Sequence, residues 1–252
     1  MGSVSGKPYL ADGKQQDMEE FLRVVLSELE REVRDDDGLI TPILENFWGK
    51  EVTLRKFVDT EDGRCVRCQM YPSYSEDKFL TLKIQVPESY YNINLSHLVA
   101  HYYSENTDQL VLRCGTCCTH QSNCPQTGSC KPYNATTQLR LSKSPKYLVV
   151  QLMRFGLFGD AKIQTCVTPS TILQLPNLET YELITVTSHI GSTASSGHYV
   201  TFSNLFGLSW VLCNDTSITA VSENDIISPD NYVFIYQRVE QGLNKERLSI
   251  NA

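Results

Sequence analysis

Through residues 15–33, QQDMEEFLRVVLSELEREV, apolar side chains recur at helical spacing. Met18, Phe21, Leu22, Val25 and Leu29 form one stripe, which Val24, Leu26 and Val33 widen. A helix apolar over that much of its circumference needs cover on more than one side. The period then changes. In FLTLKIQV (79–86), Leu80, Leu82, Ile84 and Val86 alternate with Thr81, Lys83 and Gln85, which predicts a strand with one buried face. Residues 47–58 read as a further strand. NLSHLVAHYY returns to helical spacing, with Leu95, Leu98, Val99 and Tyr102 on one face and Asn94 placed as N-cap. Residues 118–136, rich in Cys, Gly, Pro, Thr and Asn, read as a loop. After Pro145, KYLVVQLMRF predicts a buried strand, and YELITVTSHI, GHYVTFSN, LSWVLCND and NYVFIYQRV predict four more. Residues 1–13 read as a loose polar lead-in, and the segment after Gln241 as a tail.

Composition excludes some classes of function. The 252 residues suffice for one sizeable core or two small ones. A net charge of −7 argues against nucleic acid as a partner and permits a basic one. No apolar run reaches membrane-spanning length, so no membrane association is expected. The nine cysteines include several at metal-ligand spacing, which points to a reducing compartment, cytoplasmic or nuclear.

Two constellations carry chemistry. The first pairs Cys65-x-x-Cys68 with Cys114-x-x-Cys117. Two such knuckles can place four thiolates around one tetrahedral Zn²⁺, and four thiolates leave no open position, so the metal is expected to be structural. The blander reading is four unrelated thiols, which the paired spacing disfavours. Cys118, His120, Cys124 and Cys130 follow closely and read as loop residues whose roles stay open. The second constellation lies in SSGHYVTFSNLFGLSWVLCND (195–215). A three-residue turn at Leu205-Phe206-Gly207 would set Phe202 against Trp210, Val200 against Leu212 and His198 against Asn214. The last pair would have Cβ atoms about 5 Å apart. An amide oxygen there can hold an imidazole tautomer, as Asn does in Cys-His-Asn triads. A structural histidine in a sheet is the competing reading. Cys213 adjoins Asn214 and so points to the opposite face, which makes it a poor nucleophile.

Six segments in this order resemble ubiquitin-specific proteases: QQDMEEFLRVVLSEL, the CxxC pair, SPKYLVVQLMRF, SHIGSTASSGHYVTF, WVLCND and NYVFIYQR. The likeness covers about residues 14–238. It implies an α+β, papain-like cysteine peptidase fold, with palm and zinc-ribbon fingers and a partial thumb. On that likeness residues 14–46 form the partial thumb, 47–136 the fingers and 137–240 the palm of one domain (14–240), flanked by 1–13 and 241–252. The implied reaction is thiol-dependent hydrolysis of the bond after ubiquitin's C-terminal glycine. His198 matches the general base, Asn214 its orienting residue, and Asp215 a neighbouring acid that assists. Cys65, Cys68, Cys114 and Cys117 match the zinc ligands. Asp17 and Glu20 match acidic positions that read ubiquitin's basic tail, although acids also favour a helix N-terminus for its dipole. His189 and Gly191 match the H-x-G upstream of the base.

One family feature is missing from the segment before QQDMEEF. The residues SGKPYLADGK contain no cysteine, whereas the family opens with a cysteine box bearing the nucleophile. A base and its orienter alone cannot form a covalent intermediate. The expectation is therefore a chain that is inert by itself. The alternatives are an active deubiquitinase completed by an upstream segment and a silent ubiquitin-binding or scaffold module. The helix that normally carries the nucleophile also covers a neighbour, so part of the stripe Met18, Val24, Val25 and Leu29 is expected to face solvent.

Overall fold

The computed structural model describes residues 16–33, 42–58, 60–66, 68–89, 91–114, 133–156, 161–194, 196–205 and 207–240. In chain order the elements are α1 (Met18–Val33), α2 (Pro42–Phe47), β1 (Gly49–Phe57), β2 (Ser73–Phe79), β3 (Thr81–Gln85), β4 (Ile93–Asn94) and α3 (Leu95–Tyr102). There follow β5 (Asn106–Leu112), β6 (Tyr133–Lys143), β7 (Tyr147–Met153), β8 (Val167–Thr168), β9 (Ile172–Gln174) and β10 (Thr180–Thr193). The series ends with β11 (Ser196–Leu205), β12 (Ser209–Asn214), β13 (Ser217–Val221) and β14 (Asn231–Arg238). These elements fall into two compact units, one from 1–48, 80–99 and 145–252, the other from 49–79 and 100–144.

The first unit is built on one sheet in the order β13-β12-β11-β10-β14-β7-β3, with β9 beside β10. Strand β7 runs parallel to β3 and antiparallel to β14. Its Leu148, Val149, Val150 and Leu152 are fully buried, as a central strand of this composition requires. The alternation read in 79–86 holds except at Thr81: Leu80, Leu82, Ile84 and Val86 are all buried and Lys83 and Gln85 face out, but Thr81, expected on the outer face, is buried as well. Helix α1 lays Met18 and Leu22 against Val149, Tyr232 and Val233. Phe21, Leu29 and Val33 stand 46%, 42% and 54% exposed, whereas Val24, expected in part at the surface, is buried. Asn94 caps α3 as anticipated, its Oδ1 accepting the Ser96 N–H at 2.9 Å, a contact worth about 1 kcal/mol. No described helix is long and apolar enough to cross a membrane.

The second unit is a sheet in the order β2-β1-β6-β5. Its buried cluster is Phe57, Cys65, Cys114 and Ala135, with Cys68, Leu112 and Tyr133 packed around it. The buried Glu51 of β1 accepts hydrogen bonds from Tyr103 Oη at 2.7 Å and Tyr102 Oη at 3.1 Å. Burial lifts its carboxyl above the usual range, against those two hydrogen bonds. Segment 80–99, expected within 47–136, lies in the first unit because β3 pairs with β7 and buries its apolar face there. Residues 137–144 lie in the second, because β6 pairs with β1 along its length.

Candidate active site

Strands β10, β11 and β12 are successive antiparallel neighbours. The β11–β12 hairpin pairs Leu205 with Ser209, Asn204 with Trp210, Ser203 with Val211 and Phe202 with Leu212. The strands thus turn between Leu205 and Ser209, with Gly207 at φ 73°, a left-handed conformation that favours glycine. The register differs by two residues from the one the sequence predicted. Side chains alternate with period two, so a two-residue slip leaves every one on its original face. His198 and Asn214 consequently still share a face and meet on the diagonal. His198 Nε2 lies 2.7 Å from Asn214 Oδ1. An amide oxygen carries no proton, so Nε2 donates, and in the neutral imidazole Nδ1 is then the nitrogen with the lone pair. That is the protonation pattern of a base with one nitrogen still able to take a proton.

The ladder breaks beside His198. Ile190 pairs with His198 and Thr193 with Ser196, so Gly191 and Ser192 stand opposite Gly197 alone. The strands are close there. A Cβ on Gly197 would lie 2.6 Å from Ile190 O and 2.7 Å from His189 Nε2. Gly197→Ala is therefore expected to destabilise the first unit by about 1–3 kcal/mol, read as a fall in the urea midpoint at constant m-value.

Around this bulge the first unit buries an unusual set of polar groups. His189 is fully buried, its ring 4.9 Å from that of Tyr199 and 5.5 Å from that of Phe155. Burial first, then the Lys162 ammonium, pushes its pKa down, against opposing effects of Asp230 and Asp17. Arg154, also fully buried, donates to Asn231 O, Ile163 O and Thr165 O at 2.6–2.8 Å. Burial lowers its pKa to about 10. Asp17 caps α1, with Oδ1 accepting the Glu20 N–H at 3.0 Å, while Oδ2 accepts Tyr232 Oη at 2.6 Å. Glu20 lies 3.8 Å from Arg23. Asp215 sits exposed in the turn after β12 at φ 49° and makes no hydrogen bond with His198. Tyr199 and Tyr232, missed by sequence reading, flank His189; the only signal was their position beside His198 and at the start of NYVFIYQR.

In the second unit the thiol sulfurs of Cys65, Cys68 and Cys114 all lie within 4.8 Å of one another, with Cys68 and Cys114 at 3.6 Å. Thiolates around a tetrahedral Zn²⁺ at Zn–S about 2.3 Å stand about 3.8 Å apart, so the three sulfurs fit such an ion. The 65–70 segment turns tightly, Cys65 N–H donating to Met70 O and Gln69 N–H to Cys65 O, both at 2.8 Å. Cys117, the expected fourth ligand, lies outside the described residues, as do Cys118, His120, Cys124 and Cys130.

The ubiquitin carboxyl-terminal hydrolase family matches residues 3–236. The chain belongs to this family. It is 24% identical over 241 residues to ubiquitin carboxyl-terminal hydrolase 25 of Arabidopsis thaliana, covering 91% of this chain and 34% of that protein. It is 24% identical over 192 residues to ubiquitin carboxyl-terminal hydrolase 8 of Saccharomyces cerevisiae, covering 68% and 38%. The chain thus spans little more than a third of these relatives' length. Among solved structures it is similar to the SAGA DUB module of Ubp8, Sgf11, Sus1 and Sgf73 bound to monoubiquitin. That match has a TM-score of 0.73 and 23% identity, over 94% of this chain and 52% of the other. The same module bound to ubiquitin aldehyde matches with a TM-score of 0.72 and 22% identity, over 92% and 51%. The fold is that of the ubiquitin carboxyl-terminal hydrolases, a papain-like α+β arrangement, and the pair His198–Asn214 lies in its sheet-rich part.

Proposed function

We propose that this chain carries the base half of a cysteine-type deubiquitinase site, acting on the bond after ubiquitin's C-terminal glycine. His198 is the general base, Asn214 orients it, and Asp215 supplies a nearby negative charge. The observation that carries this reading is the 2.7 Å contact of His198 Nε2 with Asn214 Oδ1. It leaves Nδ1 able to take a proton from a thiol. Ubiquitin as partner is supported by the Ubp8 modules solved with monoubiquitin and with ubiquitin aldehyde. Asp17 and Glu20 face the basic tail in this reading. Asp17 spends one acceptor site on each of its two bonds, and a carboxylate has about four. In this reading 14–46 correspond to part of a thumb, 49–79 and 100–144 to fingers, and 80–99 and 145–240 to a palm. Cys65, Cys68 and Cys114, with Cys117, hold a structural Zn²⁺.

The 252-residue chain alone is expected to bind ubiquitin without cleaving it. Among the described residues, three thiols are gathered in the second unit, and Cys117, Cys118, Cys124 and Cys130 lie outside those residues. Cys213 follows the strand alternation away from Asn214. Burial raises the pKa of Cys166, opposing thiolate formation. Incubation with ubiquitin bearing a C-terminal electrophile tests this, with no covalent adduct expected by mass spectrometry. An adduct abolished by a single Cys→Ala change overturns the inert reading and names the nucleophile.

A further inference from the structure

Lys162 brackets the bulge beside His198. Its backbone N–H donates to Ser192 O at 3.3 Å. Its Nζ, on a side chain 0% exposed, donates to His189 O and to Asp230 Oδ1. Asp230 O in turn accepts the His189 N–H at 2.9 Å. One residue thus grips β10 on both sides of Gly191, and its buried ammonium is paired as burial demands. Two close contacts carry this grip to β11. A Cβ on Gly191 would lie 2.6 Å from Ser196 O, and the His189 ring sits directly against Gly197. Gly197 is the immediate neighbour of His198.

We propose that Lys162 is a positioning residue, which fixes the β10 bulge so that the His198 ring is aimed at Asn214. The assignment rests on reading that pair as base and orienter. It gives a buried cation a task that the zinc cluster and the ubiquitin-facing acids do not account for. Lys162 touches no reacting atom and acts only through the backbone of 189–192.

The test is an NMR comparison of the His198 ring nitrogen and Cε1–H shifts in the full chain, which has five histidines to assign. Asn214→Ala defines the ring without its partner. Lys162→Met is the direct variant. Lys162→Met/Asp230→Asn is the second, chosen because it leaves no half-buried carboxylate without its cation. In folded variants the His198 shifts are expected to move at least halfway to their Asn214→Ala positions. Adding Asn214→Ala to either variant should then move the His198 shifts by less than half of what it does in the unaltered chain. Unmoved His198 shifts in a folded variant overturn the proposal. So does loss of folding in both variants, which would assign Lys162 to stability alone. The readout needs no ubiquitin, so failure to bind ubiquitin removes the functional reading and leaves this result standing.

Discussion

Chelation of the Zn²⁺ proposed at Cys65, Cys68 and Cys114 is expected to unfold the second unit (49–79 and 100–144) while the long sheet of the first keeps its amide protection. The reason is the size of the second unit's core. Among the described residues its buried apolar side chains are Phe57, Cys65, Cys114 and Ala135, with Leu54 and Tyr103 beside them, and two of these six are themselves expected ligands. A structural zinc site contributes about 10–16 kcal/mol in small zinc-binding peptides, against a margin of about 5–15 kcal/mol for a whole domain. So small an apolar cluster cannot replace that contribution. Metal analysis should return about one zinc per chain. Cys65→Ser should reproduce the chelated state, with residues of β1, β2, β5 and β6 losing dispersion together in the amide spectrum. An unchanged spectrum after chelation, in a chain that holds no zinc, contradicts the assignment.

Arg154→Met is expected to cost on the order of 3–5 kcal/mol of first-unit stability. Three carbonyls, on Asn231, Ile163 and Thr165, lose their donor at once. Each buried acceptor left without a partner costs about 1–3 kcal/mol. Relief from burying the guanidinium, visible in its lowered pKa, offsets part of that loss. Arg154→Lys should fall between, since one ammonium cannot reach three carbonyls in the geometry of a planar fork. Urea unfolding followed by near-ultraviolet circular dichroism reads the difference. A shift below about 1 kcal/mol would place the three carbonyls on water and refute the account of this arginine.

Local pattern made part of this structure readable. The stripe on α1, the alternation in 79–86 and the apolar run of β7 each bury one defined set of side chains, and burial shows as period. Strand β2, SYSEDKF, left no such mark because five of its seven residues are exposed. It is held by backbone pairing with β1, not by an apolar face. Strand β13 is missed for the same reason, as an exposed edge of five residues. The β11–β12 register slipped by two in the reading because apolar alternation cannot tell registers that differ by one full period. The candidate pair survived for that same reason. Lys162 looks like an ordinary surface cation in sequence, and Arg154, at the end of the apolar run KYLVVQLMRF, gives no sign of what its charge meets. Their burial depends on carbonyls brought in from residues 163, 165, 189 and 231, a long-range fact with no local signature.

The central claim is that ubiquitin's tail is received at the His198–Asn214 pair. The most direct measurement is an amide-shift titration of the isotopically labelled chain with ubiquitin, repeated with ubiquitin lacking its C-terminal glycine. The account predicts that His198, Tyr199, Asn214 and the first turn of α1 shift with intact ubiquitin, and shift less with the truncated form. Intact ubiquitin that leaves those residues unmoved contradicts it.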